Sequence, residues 1–299
     1  MERKIVKHGE STMMVSLPSK WVKKAKLGKG DEVGVEEVGS NLILSPKKSA
    51  IKNEKEITIT TSAESVVREM IVYAYRLGYN RIKVNFSSEN QFRMVQSVMK
   101  ARLMGFDVIK KEKNYCIIEN IAEPMKEQFD NILQKLFMNI SEMFEITEQR
   151  LSGEQPIEDY ELVDERIRQY DSFCRRVVSK YGKENPVLFW NFSIWILHAY
   201  RELYHLNIYL NKKKVRASKE ILAYLKEVHK GFDMISESYT KKDVSLPVAM
   251  HEKEKEMSKK RDSILESAKG PETVIMYHIA SCERTVYLSS NSLMGLLQN

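Results

Sequence analysis

Apolar and polar positions change rhythm twice along the chain. Between residues 5 and 44 the apolar runs are short: Ile5-Val6, Met13-Met14-Val15, Val33 with Val35, and Leu42-Ile43-Leu44. Gly9 and the stretch Gly39-Ser40-Asn41 interrupt them, and such punctuation predicts strands joined as hairpins. After the second run Pro18 fixes φ in a first helical turn, a short helix follows from Ser19, and Leu27-Gly28-Lys29-Gly30-Asp31 stops it. Residues 1–46 therefore read as a four-strand unit with one short helix. A unit this small cannot close a core alone, because chains near or below about 40 residues need disulfides, metals or a partner.

A charged linker over 47–55 separates this unit from the second rhythm. Ile57 to Thr60 reads as a strand, and Ser62 as the cap of a helix carrying Val66, Val67, Met70 and Ile71 and ending at Gly78. Ile82 to Val84 is a strand, Phe92 to Leu103 a helix stopped by Gly105, and Val108-Ile109 and Cys116 to Ile118 two more strands. The order βαβαββ predicts a small α/β domain over 56–120.

From Ala122 onward no strand pattern appears. Met125, Phe129, Ile132, Leu136, Ile140 and Met143 recur at helical spacing, and further helices read at 157–180, 186–211, around Ile221 to Ile235, 247–268 and 271–297. The third and sixth both open beside a proline after a glycine-containing stop, which predicts two three-helix units over 122–299. The expected fold class is multidomain α+β.

Composition narrows the picture. Among 299 residues 42% are hydrophobic and 30% charged, as in soluble globular proteins. Cys116, Cys174 and Cys282 are too scattered for a disulfide framework or a metal spacing, which suits buried thiols in a reducing cytosol. The beginning Met1-Glu2-Arg3-Lys4 has no apolar core of a signal peptide. Val187 to Tyr200 falls short of the roughly 20 apolar residues a bilayer needs, so it is expected as a buried helix, and no integral membrane segment is expected. A cytoplasmic protein is the expectation. The net charge of +7 is concentrated: Arg3, Lys4, Lys7, Lys20, Lys23, Lys24, Lys26 and Lys29 face only Glu2 and Glu10 within the first 30 residues. Clustered cations favour a polyanionic partner.

Catalytic signatures are missing. No Ser-His-Asp or Cys-His arrangement, Walker loop or dinucleotide fingerprint is present. Glu202-Leu203-Tyr204-His205 has the Glu-x-x-His spacing of di-iron bundles, but those need a second copy and two more glutamates. His205 is expected as a hydrogen-bonded bundle histidine. The chain is expected to be no enzyme and to hold no cofactor.

Val15-Ser16-Leu17-Pro18, Trp21 and Gly30-Asp31-Glu32-Val33 occupy the places of a pattern that resembles the AbrB/SpoVT swapped-hairpin family over residues 3–46. The resemblance implies a homodimer through this N-terminal domain, two chains interleaving their hairpins into one barrel. It also implies DNA contacts from basic residues of the strands and short helix, here Lys4, Lys7, Lys20, Lys23 and Lys24. Met14 and Val22 stand where DNA-binding members carry basic residues. The remaining lysines suit phosphate oxygens better than bidentate base reading.

His278-Ile279-Ala280-Ser281-Cys282-Glu283-Arg284, with Asn291 on the same helix, resembles the signature of PhoU phosphate-signalling regulators, and the likeness spans 122–298. It implies a phosphate-uptake regulator that binds DNA through its head. The alternative is a DNA-free adaptor docking on a phosphate transporter or sensor protein through the helix around Phe189, Trp190 and Trp195. PhoU proteins carry metal-binding acid pairs at i and i+4. Here Arg168 follows Asp164 and Ser258 follows Glu254, while Glu252 and Glu256 keep a pair in a shifted register. Arg168 is expected to pair with Asp164 itself, and no metal is expected.

Overall fold

The structure is a computed structural model that describes residues 3–9, 12–38, 41–46, 54–182 and 185–298, the side chains of 36–38, 41, 43, 45 and 46 excepted. The chain divides into two compact units, 1–53 and 54–299.

In the first unit β1 (Ile5–His8) pairs antiparallel with β2 (Thr12–Val15), Ile5 opposite Val15 and Lys7 opposite Met13. Helix α1 (Ser19–Lys24) follows Pro18, whose carbonyl accepts from the Val22 N–H at 3.0 Å. The turn after it is built by Asp31, whose Oδ2 accepts from the Gly28 N–H at 2.7 Å. Gly30 between them has φ +91°, a left-handed conformation that a Cβ would strain. β3 (Val33–Val38) then pairs antiparallel with β4 (Asn41–Pro46). The four predicted strands are present, as two separate two-stranded sheets. A lone two-stranded hairpin is marginal in water. Most of the predicted linker, 47–53, lies outside the described residues.

The second unit opens with β5 (Glu54–Thr58), α2 (Glu64–Arg76), β6 (Arg81–Asn85), α3 (Glu89–Arg102), β7 (Phe106–Lys111) and β8 (Tyr115–Asn120). The sheet order is β5-β6-β8-β7, with β5 parallel to β6 and the other pairs antiparallel. β5 begins earlier than the apolar pattern indicates, because Glu54 and Lys55 already pair with Arg81 and Ile82. Ser62 does not cap α2: Thr61 Oγ1 accepts from the Ala63 N–H at 3.0 Å, and the helix starts after it. Val67, Ile71, Tyr75, Ile82, Val84, Phe92, Val95 and Ile118 form the core between sheet and helices.

Six helices complete the unit: α4 (Phe129–Ser152), α5 (Tyr160–Tyr181), α6 (Pro186–Lys212), α7 (Lys219–Lys241), α8 (Ser245–Ser267) and α9 (Pro271–Leu297). Met125 lies before a 3-10 turn (Lys126–Gln128) and is exposed, so α4 starts after it. α6 lies along α9 and α4 against α7, which merges the two predicted three-helix sets over one core that includes Phe137, Phe144, Phe192 and Phe232. α2 and α3 pack their outer faces on α5. The three cysteines are buried. Among the described residues no helix is long and apolar enough to cross a membrane.

Candidate nucleic-acid interface

The cations of the first unit are exposed, and Lys4, Lys7, Lys20, Lys23 and Lys24 have no ion pair among the described residues. On α1, Lys20, Lys23 and Lys24 stand at i, i+3 and i+4, which aligns three ammonium groups on one face while Trp21 and Val22 turn inward and are half-buried. Lys23 and Lys24 also occupy the last turn, where a cation favours the helix dipole. The hairpin distributes its cations differently. Side chains alternate along a strand, so Lys7 shares a face with Ile5, Met13 and Val15, and Lys4 falls on the opposite face with Val6 and Met14. Lys4 and Lys7 are thus not brought together within one chain.

The apolar residues between these cations are equally bare. Ile5, Met13 and Leu42 are 70%, 67% and 68% exposed, and no described side chain of the first unit is buried. Strands of such composition on so little surface mark an interaction face.

The acids considered for a metal lie in the second unit and stay apart. Asp164 is buried and accepts from Arg168 Nε at 2.7 Å, the expected pairing. Glu252 and Glu256 are exposed on α8, and Glu254 is half-buried. Among the described residues no three His, Cys, Asp or Glu side chains converge. Ser258 instead holds an arginine, since its Oγ accepts from Arg261 Nη2 at 2.7 Å, and Arg261 Nη1 donates to Glu283 Oε2 at 3.0 Å. Burial pushes the Glu283 carboxyl upward, and Arg261 opposes that shift.

One expectation is corrected. His205, expected as a hydrogen-bonded bundle histidine, is exposed, and the histidine bonded to Glu202 is His278 on α9, whose Nδ1 lies 2.8 Å from Glu202 Oε2. A neighbour on the facing helix outcompetes the residue one turn along. Of the aromatic residues named for docking, part is engaged inside the fold. Phe189 is buried against Phe129, and Trp190 stacks on Tyr73 and donates to Ser179 Oγ at 3.2 Å. Trp195 is half-buried.

A family model described as "Antidote-toxin recognition MazE, bacterial antitoxin" matches residues 7–52. The match is confined to the first unit. No curated protein and no solved structure matches the chain.

Proposed function

We propose that this chain is a regulator of the DNA-binding or antitoxin type, without enzymatic activity, that works as a homodimer through its N-terminal units. The observation that supports it most is the exposure of both faces of β1 and β2, with Ile5, Val6, Met13, Met14 and Val15 bare in a single chain. A second copy interleaving its hairpins would cover them. The likeness of residues 7–52 to an antitoxin family points the same way. In this reading the ammonium groups of Lys20, Lys23 and Lys24 meet phosphate oxygens, and Lys4 and Lys7 from opposite hairpin faces add contacts from the two chains. Lysines give affinity with little base reading. The finer reading is a PhoU-like body, 122–299, that ties DNA occupancy to phosphate status in a cytoplasmic regulator of phosphate uptake.

Anisotropy of a labelled mixed-sequence duplex at several salt concentrations tests the DNA part. Log K should fall with log salt by about 0.9 per phosphate neutralised. Lys20→Glu with Lys23→Glu should weaken binding to all sequences alike, and unchanged binding would refute the interface. A second reading follows from the description of the matching family, toxin recognition: the head would then bind a partner protein. DNA-free function would also revive the adaptor on a phosphate transporter or sensor, although burial of Phe189 removes part of its surface. Disrupting the gene should alter phosphate uptake in phosphate-limited cells, and unchanged uptake would remove the phosphate part alone.

A further inference from the structure

Arginines that are remote in sequence converge in the second unit. A cavity of about 180 Å³ lies where α2, the end of α3, α5 and α6 meet. Six arginines line it: Arg68 and Arg76 from α2, Arg102 from α3, Arg168 and Arg175 from α5, and the exposed Arg201 from α6 at its rim. Collecting like charges around a small space is costly unless each is paired. Three are paired well. Arg76 Nη2 and Arg175 Nε each donate to Asp171 at 2.8 Å, and Arg168 Nε donates to Asp164 at 2.7 Å. Arg68 reaches Glu69 only at 3.7 Å. Arg102 and Arg201 have no carboxylate partner among the described residues. Arg102 Nη1 is buried and makes no hydrogen bond.

Six guanidiniums thus face three carboxylates, and the surplus is positive. Glu64, Glu161 and Glu165 line a neighbouring hollow beyond Arg68 and Arg102, yet none hydrogen-bonds Arg102. Burial, and then the charge of Arg168, lowers Arg102 to about 10. The paired arginines are also held in place: Arg175 lies 4.7 Å over the Trp190 ring, and Arg76 donates to Ser172 Oγ at 3.2 Å. A guanidinium carries five N–H donors, so each paired fork keeps donors free.

We infer that this cavity binds a phosphoryl group, either free orthophosphate or the phosphoryl end of a small phosphorylated metabolite. Guanidinium forks match the oxygens of a phosphoryl group bidentately. Donors arriving from several helices suit its tetrahedral spread, whereas a planar carboxylate presents oxygens on one side only. A doubly charged anion offsets most of the surplus. The volume falls below the roughly 300 Å³ at which pockets for drug-sized ligands begin, so the occupant is small. None of this requires the first unit to bind DNA.

Thermal unfolding of the full chain tests the site, with sodium phosphate or ribose 5-phosphate against sodium chloride of equal ionic strength. Either phosphate compound should raise Tm beyond chloride, by mass action on the folded state. A larger rise with ribose 5-phosphate assigns a phosphorylated metabolite, and an equal or smaller one assigns orthophosphate. Arg102→Met with Arg201→Met should weaken binding at least about tenfold, the usual weight of charge-assisted bonds. The same variant without anion should melt no lower than the parent, because neither arginine leaves a carboxylate unpaired. Lys20→Glu with Lys23→Glu should keep the anion response, which separates the site from the basic head. No rise beyond chloride, a rise that survives Arg102→Met with Arg201→Met, or a lower Tm of that variant without anion would overturn the inference.

Discussion

Residues 54–299 enclose a buried apolar core, Ile71, Val95, Phe144 and Phe232 among its members, whereas Ile5, Met13, Val15, Val35 and Leu42 of the first unit stand in solvent and none of its described side chains is buried. The two units treat charge in opposite ways as well. In the second, Arg176 is fully buried: Nε donates to Glu123 Oε1 at 2.7 Å, Nη1 to the carbonyls of Tyr75 and Tyr79 at 2.8 Å each, and Nη2 to Asn80 Oδ1 at 2.7 Å. This side chain latches α5 to the α/β segment. The described lysines of the first unit have no such engagements. One unit closes its core and holds its buried charges, Arg176, Asp164 and Asp171 among them, in internal pairs. The other leaves both available, and a second copy and a polyanion are what such a surface fits.

The comparison is broken most forcefully at Arg176. Arg176→Ala should cost about 3–5 kcal/mol, because it leaves the buried Glu123 carboxylate with only Lys180 and Asn120 and removes the donor from the Tyr75 and Tyr79 carbonyls and Asn80 Oδ1. Lys23→Ala should stay within about 0.5 kcal/mol. Urea unfolding of both variants measures the contrast, and similar costs would erase it.

A middle-sized effect concerns the hairpin face. If a second copy covers it, Val15→Asp removes about 1.5–3 kcal/mol of apolar burial and adds a buried charge. The dimer dissociation constant should rise more than tenfold in sedimentation experiments. Tyr277→Asp, at a position 62% exposed on α9, should leave it unchanged. Equal behaviour of the two variants would deny the first unit its special role.

The smallest effect is the acid response of the second unit. Burial raises the Glu283 carboxyl in the folded state, so the native chain binds more protons than the unfolded one between the ordinary carboxylate value and the raised one. Stability contributed there falls as pH rises through that window. Glu283→Gln should flatten this slope, and an unaltered slope would show that Arg261 cancels the burial.

Much of this was legible in local pattern. Pro186 and Pro271 open α6 and α9 where proline and glycine punctuation places them. The Arg168–Asp164 pair is one turn of one helix. What escaped depends on neighbours distant in sequence. Glu54 and Lys55 carry no apolar alternation, and only the ladder to β6 makes them strand. Glu202 finds His278 on another helix. Arg102 and Arg201 are ordinary surface-type residues in sequence, and their convergence with four other arginines arises only when α2, α3, α5 and α6 pack. The basic face of α1 was readable from spacing, but the separation of Lys4 from Lys7 required the hairpin register.

The mass of the intact chain in solution tests the central claim most directly, since everything proposed for the first unit depends on a second copy. Light scattering at micromolar concentration should give twice the 34.9 kDa of one chain, with amides of β1 to β4 protected from hydrogen exchange. A monomeric mass together with protected amides in those strands would contradict the account, because the hairpins would then be folded with their apolar faces bare.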